Sequence, residues 1–404
     1  MCEENEREAM VDSKKQKILI VHNYYQIPGG EDTVVTNEKR LLEEHGHEVI
    51  LYSKNNSELK IMGKVQKMLL PLITVFNLRS FRDVKRIIKE HRIDIVHVHN
   101  TLNIISPSVY YAARVCKVPV VQTVHNFRLL CPGATFYRDD HICEDCVDHG
   151  LFCSVKHSCY RNSKLQTLAC VISTKFHRMT GIYGKINYIS LTEFNREKLL
   201  QLNRPGKKQI VDPDRIFIKP NFTFENTSEM FGRDNEYFLY SGRVEKIKGL
   251  DILLDAFAQL SDEKLIVAGT GTQVEEYKDK ATKNVEFKGF LNREKLAECL
   301  SRAKAVIVPS QWYETFGMII AEAYAAHKPI IVGNIGNLSS LVDKGLTGIT
   351  FTYNSAEALS DAVMQFENID TNGWGENAYR KYKDEFSPES NYYTLRGIYD
   401  SVRN

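Results

Sequence analysis

Glu314 and Glu322 stand eight positions apart in the phrase PSQWYETFGMIIAE, residues 309–322. Glu314 falls in a loop leaving a short apolar run, and Glu322 falls inside a helix predicted to begin near Gly317. One carboxylate in the loop and another about a turn and a half into the helix can face a single ligand at the helix N-terminus. A carboxylate accepts two hydrogen bonds from vicinal hydroxyls, the groups that sugars and ribose present. Gly317 leaves backbone room for a phosphate or sugar to approach. Ser310, Thr315 and Phe316 complete the phrase. Two solvated glutamates in an ordinary strand–loop–helix connection would show the same spacing, but the full phrase is far more specific than the pair.

The second group is SGRVEKIKG, residues 241–249, at the end of another apolar run. Arg243 and Lys248 are expected to project from the loop that follows Gly242. Two cations beside a helix N-terminus make a site for a diphosphate. When a sugar–diphosphate bond breaks, negative charge grows on the departing phosphate, and cations placed there favour the transition state over the ground state. In the other half of the chain, Gly29 and Gly30 precede a helical pattern, which alone reads as a plain tight turn. His125 stands at a strand's carboxyl end, where an imidazole can hydrogen-bond a sugar hydroxyl. His97 and His99 alternate with apolar residues, and His97 is expected to lie within the sheet.

These segments, in this order, resemble the family 4 retaining glycosyltransferases of the GT-B fold. Glu314 and Glu322 match that family's Glu–seven residues–Glu motif, and Arg243 with Lys248 match its Arg/Lys pair. The resemblance runs from Ile18 to the last helix. It implies that Glu314 contacts the transferred sugar, Glu322 the ribose hydroxyls, and Arg243 with Lys248 the diphosphate. It also implies that Gly269, Gly271, Phe290 and Leu291 lie in loops near the nucleotide. Gly29 and Gly30 match the family's glycine-rich loop, and His125 its cleft histidine. The implied function is transfer of a sugar, with retention, from a UDP- or GDP-linked donor to a glycan or lipid-linked acceptor in cell-surface polysaccharide or glycolipid synthesis. No cofactor is expected for catalysis. Asp212-Pro213-Asp214 fits an Asp-any-Asp metal motif formally, but its proline marks an interdomain turn.

Five of the nine cysteines fall between Cys131 and Cys159. In a chain expected to be cytoplasmic, such clustering points to metal before disulfides. Cys143 and Cys146 form a two-residue knuckle. With Cys131 and Cys159 they make a candidate structural Zn²⁺ site, with Cys153 the reserve ligand; free thiols, a redox pair and an iron–sulfur cluster are the competing readings. A loop this long and this poor in apolar residues needs such a staple. Cys2, Cys116, Cys170 and Cys299 read as ordinary thiols.

The elements that must position these residues follow from periodicity. Short apolar runs at residues 17–22, 47–52, 93–98, 118–124 and 186–191 alternate with helical patterns, and a second series begins at residue 237. Alternation of this kind predicts parallel sheets built from βαβ units. The expected architecture is α/β, two doubly wound Rossmann-like domains facing across a cleft. The expected divisions are a tail over 1–16, a first domain over 17–212 with the cysteine-rich insertion at 131–160, a second domain over 213–386, and a helix over 387–404 crossing back. The length of 404 residues suits two cores.

Lys and Arg number 53 against 51 Asp and Glu, so no global basic field favours nucleic acid. The first sixteen residues lack an apolar core, and the expected location is cytoplasmic, at the inner face of the membrane. Residues 64–82 and 161–185 mix cations with apolar residues, as in helices that lie on anionic membranes or pack on a sheet. A nucleotide-sugar epimerase and a non-enzymatic zinc-stabilised interaction protein are the competing readings. Neither needs the Arg243/Lys248 and Glu314/Glu322 phrases together.

Overall fold

Buried apolar runs dominate both halves of the chain, and each half folds them into one parallel sheet. The computed structural model describes residues 15–26, 29–225 and 235–403. Most of the tail, Cys2, and Ile27-Pro28 before the glycine pair lie outside the described residues.

The first sheet comprises β1 (Lys17–Tyr24), β2 (Glu48–Asn55), β3 (Ile95–Val98), β4 (Val120–Thr123), β7 (Asn187–Ser190) and β8 (Ile216–Ile218), ordered β2-β1-β3-β4-β7-β8. β3, β4 and β7 are buried at every position, polar His97, Gln122 and Asn187 included, as expected of parallel strands covered on both faces. The short antiparallel pair β5 (Tyr137–Arg138) and β6 (His141–Ile142) stands apart, inside the cysteine-rich insertion. The second sheet comprises β9 (Tyr237–Ser241), β10 (Leu265–Ala268), β11 (Val285–Gly289), β12 (Ala303–Val308), β13 (Ile330–Gly333) and β14 (Gly348–Phe351), ordered β11-β10-β9-β12-β13-β14. Its order reverses between β9 and β12. Such a switch point is where open parallel sheets bind ligands, at the carboxyl ends of the strands.

Two expected boundaries move. Residues 216–218 were expected in the connection between domains, but they pair with β7, so the first sheet extends past Asp212. The Asp212-Pro213-Asp214 turn therefore lies inside the first unit, and Asp212 caps it by accepting from the Asp214 N–H at 3.1 Å. Gln16, expected in the tail, is buried. Its N–H donates to His47 Nδ1 at 3.1 Å and its side chain to Asp400 at 2.9 Å. The strand at 216–218 escapes periodicity because three residues with one buried position carry almost no pattern.

The last helix, Pro388–Arg403, returns to the first unit. Tyr392, Leu395, Ile398 and Tyr399 pack with Ile18, Ile20, Ile95 and Val121 on one face of the first sheet. Two buried polar contacts pin it there: Lys219 Nζ donates to Asn391 Oδ1 at 2.8 Å, and His97 Nδ1 lies 2.7 Å from the Tyr399 hydroxyl. His97 is thus a satisfied sheet histidine, as its alternation suggested. Its other nitrogen lies 2.8 Å from Thr123 Oγ1.

Candidate active site

The carboxyl ends of β9 and β12 bring Lys248 and Glu314 together. Gly249, with φ of +82°, turns the chain directly after Lys248, and a β-carbon there would lie 1.9 Å from the Pro309 carbonyl. Only glycine lets the loop leaving β9 pass so close to the end of β12. Lys248 Nζ lies 2.5 Å from Glu314 Oε1. Ser310 Oγ and Trp312 Nε1 donate to the same oxygen, each at 2.8 Å. Burial alone would raise the Glu314 carboxyl, but the Lys248 charge, helped by the two hydrogen bonds, outweighs it and holds the group below its ordinary value. Lys248 also sits over the Trp312 ring, 5.0 Å from its centroid. Trp312 was not singled out in the sequence, since an indole beside a carboxylate leaves no spacing signal.

Glu322 lies in the helix Met318–Ala325, and burial lifts its carboxyl above the ordinary range, with Arg293 pulling the other way. Gly317 caps this helix in the left-handed region, with φ of +91°. Arg243 is not drawn into the pair. It is exposed and turned onto Glu245 at 3.2 Å. Phe316 points into the core and packs edge-on against Phe386, so what it offers a ligand is backbone. Phe290 is exposed, and Leu291 packs against the second core. Gly269 and Gly271 have a packing reason of their own. β-Carbons there would strike the Gly242 and Val244 carbonyls at 1.8 and 2.1 Å.

Opposite stands the first unit. Gly29 caps the helix Gly30–Glu44, and its N–H donates to the Asp32 carboxylate at 3.0 Å. Asp32 also meets His22 Nε2 at 2.8 Å, fastening the helix start to β1. Burial pushes the neighbouring Glu31 carboxyl up to about 8, against the hydrogen bond from Tyr25. A β-carbon on Gly30 would lie 3.5 Å from Met318, so this helix start faces the helix of Glu322. His125 follows β4, and its carbonyl accepts from Thr315 Oγ1 at 3.0 Å. The two sets of loops therefore touch through the residue after Glu314.

His125 is held from behind. Its Nε2 lies 2.9 Å from His99 Nδ1, and the two rings stack at 5.2 Å. His99 Nε2 lies 3.3 Å from Glu38 Oε2, although off the ideal hydrogen-bond line. Glu38 and Lys219 are fully buried and paired at 2.8 Å. Burial opposes the Glu38 charge, but Lys219, His97 and His99 outweigh it and keep the carboxyl well below the ordinary range. With its proton on Nε2, facing this carboxylate, His99 would accept on Nδ1 from His125 Nε2, which would leave His125 Nδ1 as an acceptor. Burial, with His99 nearby, keeps this imidazole neutral by lowering its pKa. Glu38 and Lys219 escaped the sequence reading because 181 positions separate them. Glu38, His97 and His99 also form a cluster of metal-ligand type, with donor atoms within 4.8 Å. Lys219 already occupies the carboxylate.

His125 and His99 line a cavity of about 760 Å³, counted with the solvent it opens to, and all its walls come from the first unit. The cysteine-rich insertion reaches across to the second unit. Its Asp140 pairs with Lys246 at 2.7 Å, and its Glu144 accepts from Tyr313 at 3.0 Å and Lys198 at 2.6 Å. Cys131, Cys143, Cys146, Cys153 and Cys159 line one small pocket, with Arg138 among them. The donor chemistry suits a soft tetrahedral ion.

Two parallel sheets meet through the loops at their strands' carboxyl ends, one carrying the Lys248–Glu314 pair and the other His125 over a cavity, and this is the GT-B fold of solved glycosyltransferases. The chain belongs to the family 4 type: the model for glycosyl transferases group 1 matches residues 223–381, and the Glycosyltransferase Family 4 model matches residues 28–140. An uncharacterized glycosyltransferase of Methanocaldococcus jannaschii is 23% identical over 72% of this chain and 71% of its own. The alpha-monoglucosyldiacylglycerol synthase of Streptococcus pneumoniae is 23% identical over 94% of this chain and 85% of its own. Among solved structures, Anabaena HepE in complex with UDP and glucose superposes with a TM-score of 0.65 at 17% identity, covering 96% of this chain and all of that one.

Proposed function

We propose that this glycosyltransferase moves a sugar, with retention, from a nucleoside-diphosphate sugar to a glycan or lipid-linked acceptor. The observation that carries this reading is the buried Lys248–Glu314 pair at the switch point of the second sheet. Lys248 and Arg243 would hold the diphosphate, Glu322 the ribose hydroxyls, and Glu314 the sugar. The bond from the sugar's anomeric carbon to the diphosphate breaks, and a bond from that carbon to the acceptor oxygen forms on the same face. The acceptor proton passes to the departing phosphate. In the tautomer with its proton toward His99, His125 would accept a hydrogen bond from a sugar hydroxyl. The HepE structures, solved with UDP and with UDP-glucose, favour a uridine donor. A thermal-shift series with UDP, GDP, ADP and their sugar conjugates tests this. One nucleotide is expected to raise the midpoint of the wild type and not of Arg243→Ala/Lys248→Ala. Absence of a shift with every nucleotide would remove the donor site.

For the insertion, we propose a structural zinc held by Cys131, Cys143, Cys146 and Cys159. Binding would draw the sulfurs together and deprotonate them. Elemental analysis of the purified chain is expected to give one zinc per molecule, lost in Cys143→Ser/Cys146→Ser together with a lower melting point. A metal-free protein of unchanged melting point would refute the site.

A further inference from the structure

The cavity beside His125 is walled on one side by two helices, Lys64–Val75 and Lys164–Thr180. Thr74 from the first and Cys170, Ser173 and Thr174 from the second line it. The two helices are tied side by side. Ser173 Oγ donates to the Thr74 carbonyl at 3.1 Å, and His177 Nε2 lies 2.8 Å from the Val75 carbonyl. Their inner faces are therefore accounted for.

Their outer faces are apolar and bare. Leu72 is 67% exposed on the first helix and Met179 81% on the second. Leu165, Ile172 and Phe176 are exposed as well, and with Met179 they recur at spacings of seven, four and three along one helix. Those spacings make one stripe. Soluble surfaces rarely leave so continuous a patch uncovered.

The segments that carry the patch hold cations and no carboxylates. No Asp or Glu occurs in residues 59–82 or 149–192, although the whole chain is balanced at 53 to 51. Lys64, Lys164 and Lys175 are exposed beside the apolar stripe. Lys175 lies over the Phe152 ring, 4.2 Å from its centroid. Long apolar side chains flanked by cations, on two helices lying side by side, match a bilayer interface carrying negative headgroups. No described helix is long and apolar enough to cross a membrane, so contact is from one side.

We propose that this paired helix face docks on an anionic lipid bilayer, with the His125 cavity behind the same two helices. The docking itself stands without the proposed chemistry. The use of the cavity by a membrane-borne acceptor rests on the proposed function.

The test is co-sedimentation of the full chain with phosphatidylcholine vesicles and with phosphatidylglycerol-rich vesicles. Binding is expected only to the second and is expected to weaken as salt rises. Lys164→Glu/Lys175→Glu should weaken it by about tenfold or more. Leu72→Ser/Met179→Ser should abolish it. Both variants alter exposed positions, so an unchanged melting point is the check on folding, and an unchanged nucleotide thermal shift separates docking from the donor site. Equal binding of wild type and variants would overturn the proposal. So would a wild type that ignores both vesicles, or one whose self-association, lost in Leu72→Ser/Met179→Ser, shows that a second copy covers the face.

Discussion

Lys248→Ala is expected to lower turnover by about 100-fold, with a much smaller change in donor KM. Lys248 is a largely buried cation whose ammonium sits 2.5 Å from Glu314 and over the Trp312 ring. As the diphosphate departs, its charge grows next to this fixed cation, in a site that excludes much of the water that would screen it. Arg243→Ala is expected to do less, because Arg243 is exposed and already turned onto Glu245. The variant should also reveal itself in the pH profile. In the wild type the Glu314 carboxyl sits below its ordinary value because Lys248 overcomes the effect of burial. Its charge is therefore present above the unfolded pKa and lost only as pH falls through the lower folded value. Without Lys248 burial acts with far less opposition, and the acid limb of the rate profile should move to higher pH. Steady-state kinetics with saturating donor across that range decides it. Unchanged turnover would take Lys248 out of the mechanism.

Much of this site was legible because its residues follow strands. Arg243, Lys248 and Glu314 stand directly after runs that could only be buried parallel strands, so pattern alone placed them at one edge of the second sheet. The limits of legibility are equally physical. Phe316 belongs to a motif yet points into the core, because the turn at Gly317 leaves its ring on the Phe386 side. Gly269 and Gly271 resemble nucleotide loops, but carbonyl contacts with the neighbouring loop already demand glycine there. The support behind His125 had no local signature at all. Glu38 belongs to the first helix and Lys219 follows β8, and only the folded sheet brings them together. The same holds for the last helix: its amphipathic pattern predicted packing, and Tyr399 and Asn391 show which polar groups fix its place.

The support behind His125 also gives the largest expected effect on stability. Lys219→Met should lower the unfolding free energy in urea at neutral pH by about 3–5 kcal/mol. The cost comes from the partner left behind. Glu38 and Lys219 are both fully buried, and the Lys219 charge is the largest influence opposing burial at Glu38. With methionine at position 219, Glu38 must either remain charged in the interior or take up a proton. The sign of the pH dependence follows. In the wild type a depressed Glu38 pKa contributes stability that is present above the unfolded value of about 4.3 and is lost as pH falls toward the folded one. The variant lacks most of that contribution, so the gap between the two proteins should narrow as the solution is acidified. Glu38→Gln/Lys219→Met removes both charges and should recover much of the loss. Its catalysis should not recover with its stability. His99 would face an amide able to donate as well as accept, and the proton order that leaves His125 Nδ1 as an acceptor would no longer be imposed. A double variant as unstable as Lys219→Met would show that the cost lies in packing around Lys219. One that regained full turnover would show that the carboxylate does not set the tautomer of His125.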